Sequence, residues 1–314
     1  MRPAILIHGP TASGKTEAAI QLAKRVDGEI LNADAMQVYR DLDVLTARPR
    51  GDDLARAPHH LFGHVDAAER HSVGRWQKEA AARIAEVRAA GKAPIVVGGT
   101  GLYLQALVEG LSDIPEIPEG PRTEARRCVA KDAPAAFAKL REIDPEAAAR
   151  IDPGDRQRIS RALEVFMATG KAISDYRGAA APVLAKGEWI GVALTPPRDA
   201  LYDRINSRVD MMMKAGALEE ARALWSRQLD RELPAMRAHG VPGFCEFFEA
   251  RIPLAEAIER AKRDTRRYAK RQLTWIAHQF TLWPRIPAEA PELRVKVIGA
   301  LSREAEALAA AAAG

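Results

Sequence analysis

Residues 4–20 read AILIHGPTASGKTEAAI. The first five residues, from Ala4 to His8, form an apolar run of strand length. From Lys15 to Val26 the apolar residues Ala18, Ala19, Leu22 and Val26 recur at helical spacing. Between them, Gly9, Pro10, Thr11, Ala12, Ser13, Gly14, Lys15 and Thr16 complete G-x-x-x-x-G-K-T. A loop of this kind curls so that several backbone N–H groups point at one anion, and the following helix adds its positive N-terminal dipole. Lys15 is expected to reach an outer phosphate oxygen, and the Thr16 hydroxyl to ligate Mg²⁺. The stretch therefore predicts a di- or triphosphate site at the end of a strand.

Working outward, Glu29 to Asn32 reads as a second strand ending at Asp34. Val73 to Ala90 reads as a helix with Trp76, Ala80, Ile84 and Val87 on one face, stopped by Gly91. APIVVGGTG, from Ala93, reads as a third strand running into glycines. Strand and helix alternating in this way predict an α/β parallel sheet with right-handed crossovers, a P-loop NTPase-like core flanked by helices. Residues 45–66 read as loop. The proline-rich LSDIPEIPEGPR then breaks the pattern, and from Pro121 to about Thr169 every segment reads as charged helix. EWIGVAL, from Glu188 to Leu194, returns to strand. The expected organisation is a first part of the core at 1–112, an inserted all-helical domain at 113–187, a core continuation with a basic helix at 188–285, and a tail at 286–314.

Of 314 residues, 47% are hydrophobic and 28% charged, the balance of a globular chain with a sizeable core. The formal charge of +5 permits a nucleic-acid partner without demanding one. Two cysteines, Cys128 and Cys245, stand far apart and outside any C-x-x-C, which argues against a disulfide framework or a zinc site. No apolar run has the length of a signal segment or membrane span, so a cytoplasmic protein with no membrane contact is expected. Nothing in the sequence demands an oligomer or a protein partner; a monomer is expected.

In an open α/β sheet, ligands gather beyond the carboxyl ends of the strands. There the second strand delivers Asp34 and the third delivers Thr100. Each alone has a bland reading: a turn residue for Asp34, a helix cap for Thr100. Beside a phosphate loop, a carboxylate and a hydroxyl read better as catalytic groups. Arg204 and Arg208, four apart in YDRINSRVD, share a helix face, and one of them can reach a diphosphate at the same rim. Two basic clusters remain. DRQRISR carries Arg156, Arg158 and Arg161 in the insertion. ERAKRDTRRYAKRQLTW places Arg263, Arg267, Lys270 and Arg271 in one helical stripe, with Tyr268 and Trp275 interleaved. Such a stripe is expected to meet nucleic-acid phosphates. Loop, Asp34 and arginines suit phosphoryl transfer by a small-molecule or nucleotide kinase equally well. A nucleotide-sensing, nucleic-acid-binding switch is a third reading. A small-metabolite kinase, however, has no use for the two basic clusters.

The order GPTASGKT, NADAMQVYRDLDVLTARP, APHHL, VVGGTGLYL, DRQRISRALEV, R-x-x-x-R-x-x-x-M and RRYAKRQLTW resembles the tRNA dimethylallyltransferase (tRNA isopentenyltransferase) family from about Ile5 to Trp275. The resemblance implies transfer of a dimethylallyl group from dimethylallyl diphosphate to N6 of the adenosine 3′ of the anticodon, position 37, with release of diphosphate. It implies Asp34 as general base, with Thr100 and Arg208 at the reaction centre. It also implies contacts to the tRNA anticodon stem-loop. These would come from Asp34, Ala35, Met36, Gln37 and Thr100; from Arg122, Gln157, Arg158, Ile159, Ser160 and Arg161; and from Arg263, Arg267 and Lys270. Three positions depart from the family pattern. Ala35 stands where serine is common, Arg48 replaces a lysine with a cation of different shape, and His239 replaces an isoleucine. No chemical role is assigned to His239.

Overall fold

The computed structural model describes residues 2–176, 181–287 and 291–311. Contacts divide the chain into two units: Met1–Val108 with Val183–Gly314, and Glu109–Pro182.

The larger unit begins β1 (Ala4–His8), α1 (Lys15–Val26), β2 (Gly28–Asn32), α2 (Asp52–Arg56), β3 (His59–His60), α3 (Val73–Ala89), β4 (Ala93–Gly98) and α4 (Gly101–Glu109). The helical unit follows with α5 (Glu119–Lys131), α6 (Ala133–Ile143), α7 (Pro145–Arg150) and α8 (Arg156–Thr169). The larger unit resumes with β5 (Trp189–Leu194), α9 (Arg198–Lys214), α10 (Ala217–Ser226), α11 (Val241–Phe248), α12 (Leu254–Gln279), β6 (Arg285–Ile286) and α13 (Pro291–Ala311). The six strands form one sheet in the order β3-β2-β4-β1-β5-β6, and every pairing is parallel. The chain is an α/β protein with a P-loop NTPase-like sheet and an inserted helical unit.

Strands buried on both faces read as continuous apolar runs, and alternation decides which face each side chain enters. Ala4 and Leu6 of β1, Leu31 of β2 and Val96 of β4 pack in one cluster with Trp76, Leu104 and Trp283. Ile5, Ile7, Ile30 and Ile95 point the other way, onto Ala19, Ile20 and Leu22 of α1. This second layer corrects the sequence reading of the C-terminus. Residues 286–314 are not a mere tail: Ile286 belongs to an edge strand, and Ile298, Leu301 and Ala305 of α13 join the α1 side of the core. The segment read as loop likewise contains β3, two residues that pair with Ile30 and Leu31.

In the helical unit, Ala125 and Val129 of α5, Leu140 of α6, and Ile159, Ala162 and Leu163 of α8 make a separate core. Asp132, Asp144 and Asp155 cap α6, α7 and α8, each accepting a backbone N–H with its side chain.

Candidate active site

The loop after β1 takes the conformation that glycine spacing requires. Gly14, the residue before α1, has φ +84°, and Ala12 also enters the left-handed region at φ +60°. Lys15 folds back so that its ammonium donates to the Pro10 carbonyl at 2.7 Å. The loop is fastened from far along the chain. Gln272 of α12 accepts the Thr11 N–H through Oε1 at 3.0 Å and donates from Nε2 to the Gly99 carbonyl at 2.8 Å. Its side chain thus joins the phosphate loop to the end of β4. Gly99 must be glycine here, because a Cβ would fall 2.1 Å from the Gln272 amide nitrogen.

Asp34 lies just past β2 and is oriented by its neighbours. Its N–H donates to Asn32 Oδ1 at 2.8 Å, and its Oδ1 accepts the Met36 N–H at 3.0 Å. Thr100 follows β4, and its hydroxyl accepts the Ala35 N–H at 2.9 Å. The hydroxyl thus ties two strand ends together. Tyr268 hydrogen-bonds with Thr100 and Gln272, and burial pushes its phenol far above the ordinary range.

Two cavities meet at Asp34. The polar one, about 910 Å³ with open solvent included, is lined by the loop from Thr11 to Thr16 and by Asp34, Gln37, Asp53 and Arg208. The apolar one, about 760 Å³ on the same measure, is lined by Leu45, Ile205, Val209, Met212, Met213 and Phe244 among others. Thr11, Asp34, Thr46 and Arg208 border both. Lys15 and Arg208 line the polar cavity together, and Asp34 is the carboxylate whose charge acts on Lys15. Burial first, and then the Arg208 charge, lower Lys15 from 10.5 to about 8, although Asp34 works against the shift. Burial lowers Arg208 as well. Two cations that hold their protons less firmly than in water make a site complementary to an anion.

Thr16 offers a hard oxygen donor on the wall of the polar cavity, of the kind that fits Mg²⁺. His8, at the end of β1, is fully buried; burial, then the Lys15 charge, push it down to about 3, so it is a neutral core residue. His239 packs its ring on Tyr268, 4.8 Å between centroids, and lines the apolar cavity. Burial, then Arg271, lower its pKa.

Other residues expected at the site have structural duties. Gln37 donates to the Thr46 carbonyl at 2.9 Å. Met36 lines the apolar cavity, and Ala35 packs on the core beside β2. In the helical unit, Gln157 and Arg158 are exposed, with Arg158 near Asp155 at 3.3 Å. Arg161 pairs with Glu164 at 2.6 Å. Arg122 donates to the Ile117 carbonyl at 3.1 Å and pairs with Glu119. Ser160 is half-buried. Ile159 is fully buried in the core of that unit, so its expected contact with RNA is corrected: it holds α8 in place.

On α12, Arg263, Arg267, Lys270 and Arg271 are exposed, as helical spacing predicts. The interleaved aromatics are not. Tyr268 turns into the apolar cavity, and Trp275 packs so closely on Gly101 that a Cβ there would stand 2.2 Å from the indole. A cleft beside the same helix is lined by Arg237, Arg260, Arg267 and Arg271 together with Asp264.

Two contributors to the site were not read from the sequence. One is Gln272. The other is Glu220 of α10, whose Oε2 accepts the Asp43 and Val44 N–H groups at 2.9 and 2.7 Å and whose Oε1 accepts that of Leu45 at 2.9 Å. Glu220 thereby shapes the turn that presents Leu45 and Thr46 to the cavities. A glutamine with both amide ends engaged and buried, set among Ala257, Ala261, Ala269 and Ile276, was detectable as a polar break in the buried face of α12.

A parallel sheet with an anion cradle at one strand end, a carboxylate at the next and an apolar chamber beside them defines a P-loop protein built for an amphiphilic phosphate ester. The family profile for IPP transferase matches residues 37–279, and that for isopentenyl transferase matches residues 3–59. The chain is 52% identical over 306 residues to the tRNA dimethylallyltransferase of Hyphomonas neptunium, covering 97% of each. It is 52% identical over 294 residues to that of Phenylobacterium zucineum, covering 93% of this chain and 95% of that one. The solved full-length tRNA isopentenylpyrophosphate transferase of Bacillus halodurans superposes with a TM-score of 0.72 at 34% identity, over 100% of both chains. A eukaryotic dimethylallyltransferase solved acting on tRNA gives 0.73 at 30% identity, over 88% of this chain and 70% of that one. The chain belongs to the IPP transferase family and is a prenyltransferase; the kinase reading is not favoured. No helix among the described residues is long and apolar enough to cross a membrane.

Proposed function

We propose that this chain transfers a dimethylallyl group from dimethylallyl diphosphate to N6 of the adenosine 3′ of the anticodon, position 37, in tRNA. The observation that carries this reading is the meeting of a cationic polar cavity and an apolar cavity at Asp34 and Arg208. A diphosphate suits the first and a five-carbon alkenyl chain the second, which puts the scissile C–O bond at their junction.

The loop N–H groups, Lys15 and Arg208 stabilise the charge that grows on the leaving diphosphate as the C–O bonding pair moves to its oxygen. Thr16 would hold Mg²⁺, which when bound neutralises part of the diphosphate charge. Leu45, Val209 and Phe244 exclude water that would otherwise capture the allylic electrophile. The N6 lone pair forms the new bond to the allylic carbon, and Asp34 takes the N6 proton. Thr100 is a positioning residue: it holds the Ala35 N–H and so the turn that carries Asp34. The adenine reaches this junction by leaving its stack.

For the RNA, the reading assigns phosphate contacts to Arg158 in the helical unit and to Arg263, Arg267 and Lys270 on α12. Arg122, Gln157, Ser160 and Arg161 stand as further contacts in the helical unit, and Met36 and Gln37 as contacts beside Asp34. A cytoplasmic location is proposed, since the substrate is tRNA, and the chain is taken to act as a monomer. Incubating the protein with Mg²⁺, ATP, unmodified tRNA and labelled dimethylallyl diphosphate tests the reading. Label on the adenosine with one diphosphate released per transfer supports it. Consumption of ATP with a phosphate-ester product, and no label on RNA, refutes it.

A further inference from the structure

Away from the two cavities, three donors that the reaction does not use converge on the loop before α3. His64 Nε2 lies 2.9 Å and His71 Nε2 3.0 Å from the same Glu79 Oε2, and the three donor atoms all fall within 4.8 Å of one another. We propose that His64, His71 and Glu79 bind a divalent transition metal ion of the Zn²⁺ class, through two imidazole nitrogens and one carboxylate oxygen, with water in the fourth position.

Donors about 2.1 Å from a tetrahedral ion stand about 3.4 Å apart, so each nitrogen–oxygen separation needs to open by only about half an ångström, while the two nitrogens already lie within 4.8 Å of one another. The scaffold beneath them is fixed. Val65, beside His64, bridges β-fashion to Tyr39; its N–H donates to the Val38 carbonyl at 3.0 Å, and its carbonyl accepts the Arg40 N–H at 2.9 Å. The His71 side chain is fully buried next to Ser72, which caps α3. Glu79 sits in the second turn of α3, and its other oxygen accepts the Arg75 Nε–H at 3.0 Å. Arg75 is itself paired with Glu69 at 2.8 Å, so its charge is offset and it acts to aim Oε2 at the two rings.

Ligation uses the imidazole form that carries its hydrogen on Nδ1 and turns the Nε2 lone pair to the ion. The His64 side chain is 30% exposed, which admits the water ligand. Two imidazoles select Zn²⁺, Co²⁺ or Ni²⁺ over Mg²⁺, which prefers oxygen donors. Occupancy would brace the segment from Gln37 to Arg40 that follows Asp34, because the Gln37 carbonyl accepts the Gly63 N–H at 2.9 Å.

The test is calorimetric titration of the chelator-stripped full chain with Zn²⁺ alone, in buffer holding millimolar Mg²⁺, beside His64→Gln. That half-exposed side chain can be changed without opening the core. One equivalent should bind the parent with Kd below about 10 μM, at least tenfold weaker in the variant, with Tm rising by roughly 4 °C in the parent only. A parent that takes up no Zn²⁺ by about 100 μM overturns the proposal, and so does a variant that binds as the parent does. Neither readout involves prenyl transfer, so this inference and the proposed function fail separately.

Discussion

Lys15 offers a prediction whose size follows from its surroundings. Burial and the Arg208 charge leave it with a pKa of about 8 in the free protein, against 10.5 in water. A bound diphosphate restores the missing counter-charge and raises that value, so binding requires the protonated amine. Below pH 8 the amine already carries its proton and affinity is flat. Above pH 8 each unit of pH removes about tenfold of the competent form until the pKa of the complex is reached. From pH 7 to pH 9 the protonated fraction falls from about nine-tenths to about one-tenth, so Kd for dimethylallyl diphosphate should rise about tenfold. The diphosphate's own ionisation is complete in this interval. Calorimetric titration at constant ionic strength and Mg²⁺ measures it, with proton uptake near pH 8.5 read from buffers of different ionisation heat. Lys15→Ala should bind more weakly at pH 7 and show no such slope. A parent affinity that is level from pH 7 to 9 would refute the reasoning, because Lys15 would then not sense the ligand's charge.

The apolar cavity predicts a split between the two halves of the donor. Ala261→Leu intrudes on that wall and should raise the KM for dimethylallyl diphosphate about tenfold while inhibition by inorganic diphosphate is unchanged; equal effects on both ligands would remove the prenyl chain from this cavity. Gln272→Ala strands the Thr11 N–H and the Gly99 carbonyl, so denaturant unfolding should lose about 2–4 kcal/mol and donor binding should weaken with it; an unchanged midpoint would deny the bridge any role. Arg267→Ala with Lys270→Ala, both exposed, should lower the log–log salt slope of tRNA binding by roughly two; identical slopes in filter binding would return α12 to a solvated surface.

Legibility in the sequence followed the range of the interactions. The phosphate loop and the strands β1, β2, β4 and β5 were readable because each is a local pattern: glycine spacing, or an apolar run bounded by turn residues. β3 and β6 were not, since two residues apiece, His59–His60 and Arg285–Ile286, carry no period and exist only as edges laid on neighbours. Asp34 and Thr100 could be placed at one rim because parallel topology puts strand ends there. Gln272 and Glu220 could not, because each acts on backbone more than a hundred residues away. The stripe on α12 shows the same limit. Spacing predicted its exposed cations, but Tyr268 and Trp275 follow the groove and the glycine that they fill, Gly101 in the case of Trp275. Motif groups Ile159 with the residues proposed to contact RNA, whereas helical periodicity puts it on the face of α8 that enters the core of the helical unit.

The claim on which the mechanism turns is that the carboxylate at the junction of the two cavities removes the N6 proton. Asp34→Asn tests it cleanly, because the amide oxygen can still accept the Met36 N–H that holds the turn, and Asn32 and Thr100 keep their bonds to the backbone there. The measurement is the single-turnover rate of label transfer to tRNA at saturating dimethylallyl diphosphate, beside donor affinity by calorimetry. The account predicts a rate lowered by about 10²–10⁴, the range of a positioned base, with donor affinity no weaker than the parent's. A variant that transfers at near-parental rate would contradict it and leave Asp34 as the residue that turns the chain after β2.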